Sequence, residues 1–104
     1  MQTNAQEVNQ LHELDRLIHD LQSLQFGDEA GLADILRRAE ALIREACGED
    51  SPALAELRRL RFRPYSLPAT QEYAQGLWQV SQEQALALLE QVKEESISTQ
   101  RRNP

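Results

Sequence analysis

Two histidines and one carboxylate have the spacing that comes closest to a metal site. His12, Asp15 and His19 lie at positions i, i+3 and i+7, so in a helix their side chains fall roughly on one face. The two histidines are then separated by roughly 10 Å along the helix axis, too far to share one ion without ligands from a second helix or protomer. We therefore interpret both as solvated surface histidines and predict no metal site.

Cys47, the single cysteine, is the next candidate for chemistry. We place it at the C-terminal end of a helix, where the negative end of the helix dipole raises the pKa of a thiol. Reactive thiolates favour the opposite end, and no histidine is near Cys47 in the sequence. We interpret it as a small packed residue. One cysteine also forms neither an internal disulfide nor a zinc site of the usual cysteine type.

The sequence contains no recognisable catalytic pattern. Carboxylates are plentiful, but none belongs to a motif that assigns acid and base roles, and there is no glycine-rich phosphate loop or nucleophilic serine elbow. A small helical domain without a pocket built from loops also offers little volume for excluding water from a substrate. We therefore predict a protein that is not an enzyme and has no catalytic residue and no cofactor.

A cluster of arginines stands out in an otherwise acidic chain. Residues 37–63 carry seven Arg against five acidic residues, whereas residues 1–36 carry one Arg against seven. Arginine pairs with carboxylate or phosphate, and neighbouring aromatic side chains can anchor a partner. The predicted partner-binding residues are Arg58, Arg59, Arg61, Phe62, Arg63 and Tyr65. The alternative is that these arginines pair with the acidic first helix of the same molecule.

Net charge and the N-terminal residues restrict the cellular setting. A net charge of −6 argues against nucleic acid or anionic lipid as the main partner, since both attract an excess of Lys and Arg. The N-terminus has no basic region followed by an apolar stretch, and no run of about eighteen apolar residues occurs anywhere in the chain. We expect a cytoplasmic protein that does not contact the membrane.

The elements that would position these residues are helices. Hydrophobic residues make up 40% of the chain, are mostly leucine and include few β-branched residues, which favours an all-α fold without a sheet. We predict one helical domain over residues 1–97 and a flexible tail over residues 98–104. The architecture is a small irregular bundle of four helices, or five if the last one breaks at Ser81, where a capping-box pattern begins.

The helix boundaries follow from capping residues and prolines. The first helix should run from about Asn4 to Phe26-Gly27, and the second from an Asp28 cap to Cys47. Gly48 in a left-handed conformation, followed by Ser51-Pro52, then predicts a corner and a third helix that ends by Arg63. The last helix should span about Thr70 to Ile97. Its predicted core contacts are Tyr73, Leu77, Val80, Leu88, Leu89 and Val92, and at most one of Tyr73 and Trp78 should lie deep.

The apolar surface of the first and last helices favours self-association. Residues 8–24 carry seven aliphatic side chains in seventeen positions, more than a single buried stripe would hold. Adjacent leucines around Leu86 point in directions about 100° apart, which one bundle interior would not accommodate. We therefore predict a two-fold homodimer. The predicted interface residues are Leu17, Leu24 and Leu86.

A short stretch of the chain resembles a helical region of bacterial proteins. Residues 42–52, with the turn Gly48-Glu49-Asp50-Ser51, are followed by Leu57 and Phe62. The arrangement is similar to the N-terminal side of bacterial effector proteins, including ones with nucleotide-binding domains similar to the Toll/interleukin-receptor type. The resemblance implies an accessory or interaction module and transfers no catalytic residue. We predict a non-enzymatic protein-interaction or oligomerisation module of a bacterial cytoplasmic protein. The alternative is a regulator that binds nucleic acid through residues 58–63.

Overall fold

The fold consists of four α-helices. The computed structural model describes residues 5–62 and 70–102, with side chains described for residues 9–62 and 70–97. The helices are α1 (Ala5–Gln22), α2 (Glu29–Cys47), α3 (Pro52–Arg59) and α4 (Gln71–Arg102), and the described residues contain no strand. The all-α prediction is confirmed. Helix α4 passes through Ser81 without a break and continues beyond the predicted end at Ile97.

The predicted capping residues open α2 and α3. The Asp28 side chain accepts a hydrogen bond from the Gly31 backbone N–H at 3.0 Å, and Ser51 Oγ accepts one from the Leu54 N–H at 3.1 Å. Pro52 follows in the first turn of α3, where its missing N–H would have had no helical partner. Both helix starts are therefore determined by local residues, as the sequence predicts.

Gly48 ends α2 in a conformation that other residues rarely adopt. Its φ is 97° and its ψ is 163°, and its N–H donates to the carbonyl of Arg44 at 2.9 Å. The positive φ agrees with the prediction, but the ψ value takes the residue out of the left-handed helical region into one that is almost restricted to glycine. The tight α2–α3 corner therefore requires glycine at position 48.

Leucines of α1 supply much of the core. Helix α1 packs against both α2 and α4, so a broad stripe of its surface is covered. The predicted interface residues Leu17 and Leu24 are buried by the chain's own helices, and none of the aliphatic side chains described for residues 9–24 is exposed. The buried α1 and post-α1 residues are Leu14, Leu17, Ile18, Leu21 and Leu24.

Helix α4 is also covered on more than one side. Both α1 and α3 pack against it, so leucines that point in different directions meet different neighbours. Leu88 and Leu89 are buried, and Leu86 is partly buried against the core. The prediction that one interior would not accommodate them is wrong, because α4 contributes a wide buried surface to its own molecule. Leu17 and Leu24 are buried and Leu86 is partly buried, so none of the three is fully exposed.

Trp78 forms the centre of an aromatic cluster. It is 3% exposed and lies edge-on to Phe26 and Phe62, with ring centroids 5.5 and 5.6 Å away. Phe62 is 5% exposed, so its predicted role in partner binding is wrong; its ring covers Trp78 instead. Tyr73, by contrast, is 59% exposed. The prediction that at most one of Tyr73 and Trp78 lies deep is confirmed.

Two adjacent polar side chains of α4 hold other segments in place. Ser81 is buried, and its Oγ donates a hydrogen bond to the carbonyl of Arg61. Gln82 Nε2 donates to the carbonyls of Leu21 and Leu24, at 2.6 and 3.3 Å. The last carbonyls of a helix have no partner within it, so Gln82 caps the end of α1 from a different helix. Ser81 and Gln82 thus connect segments rather than opening a new helix.

Candidate functional site

The basic segment is only partly available to a partner. Arg58 Nη2 donates to Glu40 Oε1 at 2.9 Å, and Arg44 of α2 shares the same oxygen at 2.8 Å. The hydrogen bond from Arg58 lowers the pKa of the Glu40 carboxyl, and the positive charges of both arginines add to this. The predicted pairing with the first helix is therefore wrong for Arg58, which binds α2 of the same molecule instead. Helix α1 is instead bound by Arg38, which contacts Asp20 at 2.9 Å.

The remaining arginines have different environments. Arg59 is exposed and makes no hydrogen bond or ion pair with the described part of the chain. Arg61 is exposed as well, and its carbonyl accepts the hydrogen bond from Ser81. Arg63 and Tyr65, the other predicted partner-binding residues, lie outside the described residues. Arg59 is therefore the residue of this segment that offers an unneutralised charge at a known position.

A second stripe of α4, which we call the exposed seam, faces away from the core. Its residues alternate at spacings of four and three: Tyr73, Leu77, Val80, Gln84, Ala87 and Gln91. Tyr73 is 59% exposed and Val80 is 50% exposed, while Leu77 between them is partly buried. None of the six is charged. A helix surface of this length without a charge is unusual in an acidic chain.

The exposed seam corrects the predicted core. Tyr73 and Val80 were expected inside, but α1 and α3 cover a different stripe, the buried seam, which consists of Trp78, Ser81, Ala85, Leu88 and Val92. The two seams lie about 100° apart around the helix. Regular spacing and the absence of charge do not identify the exposed seam in the sequence, because the buried seam has both.

Charged residues border the exposed seam on one side. Glu72, Glu83, Glu90 and Glu94 are all exposed and follow one another along this border, which we call the acidic edge. Glu83 makes no hydrogen bond or ion pair within the described residues.

Helix α3 borders the other side. Glu56 and Gln91 line the same groove between α3 and α4. Arg59 lies three residues after Glu56 and so falls on the same flank of α3.

That groove has a volume of about 740 Å³, and its chemistry is anionic. Cys47 lies exposed on its wall, so the expectation that this residue is packed is wrong. Partial removal from solvent raises the pKa of the Cys47 thiol, and the negative charge of Glu95 adds to this effect. The pKa direction agrees with the prediction, although desolvation causes it. With a protonated thiol and no histidine among the lining residues, the groove lacks an activated nucleophile.

The candidate metal ligands of α1 are solvent-exposed. His12 and His19 are both exposed, and Asp15 binds Lys93 of α4 at 2.5 Å. Asp15 therefore connects α1 to α4 through an ion pair. Within residues 9–62 and 70–97 no three His, Cys, Asp or Glu side chains come close enough together to hold a metal ion.

Neither a membrane segment nor a known relative adds to this geometry. Over the described residues, none of the four helices combines the length and apolar content that crossing a bilayer requires. Comparisons with family models, with curated proteins and with solved structures found no match. The case for a function therefore depends on the surfaces of the molecule itself.

Proposed function

We propose that this chain is a non-enzymatic protein-interaction module that binds its partner through the exposed seam of α4. The observation that carries the proposal is the exposure of Tyr73 and Val80 on one helix stripe, with Leu77 between them. A row of apolar side chains at helical spacing is typical of a surface that packs against another helix. Tyrosine is also common at binding hot spots, because its ring is apolar and its hydroxyl forms hydrogen bonds.

The charges on either side of the seam would determine orientation. Arg59 offers a positive charge on the α3 side, and the acidic edge offers negative charge on the other. A partner with an apolar stripe between an acidic and a basic border is complementary to this pattern. Such a surface also suits the accessory role that the resemblance to bacterial effector regions implies.

Nucleic-acid binding through residues 58–63 has less support. Arg58 is already bound to Glu40 and so is not free to contact phosphate. Phosphate binding requires several positively charged side chains that have no other partner, and each of them releases counterions from the nucleic acid when it binds. The proposal therefore names protein as the partner class.

The test is quantitative capture of partners from the source cell on the immobilised chain, with nuclease added to remove contacts through nucleic acid. Val80→Asp places a charge in the seam and should reduce specific partners by about tenfold, equivalent to about 1.4 kcal/mol. Arg59→Glu should reduce them less, because its contact is at the rim.

Gln79→Asp is the matched control, since it adds the same charge to the adjacent exposed residue, which lies outside the six seam positions and about 100° around α4 from Val80. Partner levels that are equal for Val80→Asp and Gln79→Asp would contradict the proposal. Loss of all bound material on nuclease treatment would favour the nucleic-acid alternative.

A further inference from the structure

We infer that the partner of the exposed seam is a second copy of this chain, with the two α4 helices parallel, in register and related by a two-fold axis. This inference rests on the proposed function and names its partner. The predicted homodimer is thereby moved from Leu17 and Leu24, which the chain covers itself, and from the partly buried Leu86 to the exposed seam.

The spacing of the seam matches a supercoiled pair of helices. Its intervals are four, three, four, three and four residues from Tyr73 to Gln91, a distance of about 27 Å along the helix. A four-three alternation is the spacing at which a helix keeps one stripe against a partner helix over several turns.

The polar residues of the seam favour an identical partner in the same register. Gln84 lies in the middle of the seam, between Val80 and Ala87, and all three are exposed. A primary amide contains both donors and an acceptor, so Gln84 can hydrogen-bond to Gln84 of the second copy. Single polar residues at such positions specify register and partner in paired helices.

The charges on the two borders favour the parallel orientation. In an antiparallel pair each border meets its own equivalent, so the acidic edge would face another acidic edge. In a parallel pair the acidic edge of one copy faces the α3 side of the other, where Arg59 lies. Glu56 and the other carboxylates of the anionic groove lie on that side as well, so the attraction is limited to the level of Arg59.

In the parallel pair, Arg59 of one copy and Glu83 of the other lie at a similar level along the helix axis. The hydrogen bond from Ser81 Oγ to the Arg61 carbonyl fixes the end of α3 beside Ser81. Glu83 is two residues further along α4, about 3 Å higher on the helix axis. In an in-register parallel pair, Arg59 therefore lies near the level of Glu83 of the second copy, and the symmetry repeats the contact.

The orientation is tested by disulfide cross-linking in a Cys47→Ser background, which removes the single exposed thiol. Gln91→Cys should form a covalent dimer on mild oxidation, since in the parallel pair the two copies of position 91 face each other within disulfide reach. In an antiparallel pair they would be about 27 Å apart, and Gln91→Cys would instead cross-link to Tyr73→Cys. Gln79→Cys, on another face of α4, is the matched control and should remain monomeric.

Light scattering after gel filtration tests the second copy itself. The monomer mass is 11.9 kDa, and the inference requires about twice this mass in the hundred-micromolar range. Val80→Asp should raise the dissociation constant by about tenfold or more, with unchanged helicity by circular dichroism.

A monomeric mass at every concentration would overturn the inference. If Val80→Asp still removed cellular partners in that case, the proposed function would stand with a different partner. A dimer that is indifferent to Val80→Asp and cross-links equally through positions 79 and 91 would also overturn the inference, because its interface would lie elsewhere.

Discussion

Helix α4 carries two seams with the same alternating spacing, of which one is buried and the other is exposed. The buried seam contains Trp78 and Leu88 and is covered by α1 and α3. The exposed seam contains Tyr73 and Val80 at 59% and 50% exposure, and its remaining members are smaller or polar, apart from the partly buried Leu77. Both follow a period close to that of the helix, so periodicity by itself does not identify the covered side.

The composition of each seam indicates what it can contribute. Burying a large apolar side chain stabilises the fold by roughly 1.5–3 kcal/mol, and the buried seam has three such residues, Trp78, Leu88 and Val92. Alanine and glutamine in the exposed seam contribute much less free energy when they are buried, so a contact made through them dissociates easily. The buried seam therefore holds the molecule together, while the exposed seam is suited to an association that can form and dissociate.

The largest difference between the seams should appear when one apolar residue of each is truncated. Trp78→Ala removes the centre of the aromatic cluster and should lower the free energy of unfolding by about 3–5 kcal/mol. Val80→Ala should change it by less than about 0.5 kcal/mol. Urea denaturation followed by circular dichroism at low protein concentration measures both. Equal losses would mean that the two seams are not distinct in stability.

A smaller difference should separate the polar residues of the two seams. Ser81→Ala leaves the Arg61 carbonyl without its side-chain donor and should cost about 1.5 kcal/mol, because a partly buried hydrogen bond would be lost. Gln84→Ala in the exposed seam should lie within about 0.5 kcal/mol of the wild type. The same denaturation experiment decides between them, and a neutral Ser81→Ala would show that solvent reaches the carbonyl.

The smallest effect should be a gain in stability at the border of the exposed seam. A Cβ at Gly76 would meet no atom within 4 Å, so Gly76→Ala should stabilise α4 by about 1 kcal/mol through helix propensity alone. Gly48→Ala is the control with the opposite sign, since its φ of 97° is unfavourable for any side chain. Thermal unfolding should place the two variants on opposite sides of the wild type. A loss of stability for Gly76→Ala would mean that this border is already packed against another molecule.

Local features of the fold could be predicted from the sequence, and long-range ones could not. The caps at Asp28 and Ser51 and the positive φ at Gly48 depend on neighbours within a few residues and were predicted correctly, although the ψ of Gly48 lies outside the predicted left-handed region. Phe62 was assigned to the surface because arginines flank it, but its ring partner Trp78 lies sixteen positions further on. The hydrogen-bond partners of Ser81 and Gln82 are 20 and 61 residues away, beyond any local pattern.

The candidate site shows the same limit. The spacing and the lack of charge of the six seam positions were visible in the sequence, but Tyr73 and Val80 were predicted to be core residues. Which stripe of α4 is covered depends on where α1 and α3 pack, and this is decided by contacts among all four helices. Arg59 was predicted correctly as an exposed residue, whereas Glu40 was not foreseen as the partner of Arg58.

The hydrogen bond from Gln82 to the end of α1 has a consequence for the order in which the protein matures during synthesis. The Leu21 carbonyl, which also accepts a hydrogen bond from the Leu24 N–H, emerges 61 residues before the Gln82 amide that caps it from α4. At about 5–20 residues per second, translation leaves α1 without this cap, and without the packing of α4, for roughly 3–12 seconds. During that interval the leucines of α1 are exposed to other nascent chains and to chaperones. The first helix to be made is therefore among the last to be completed.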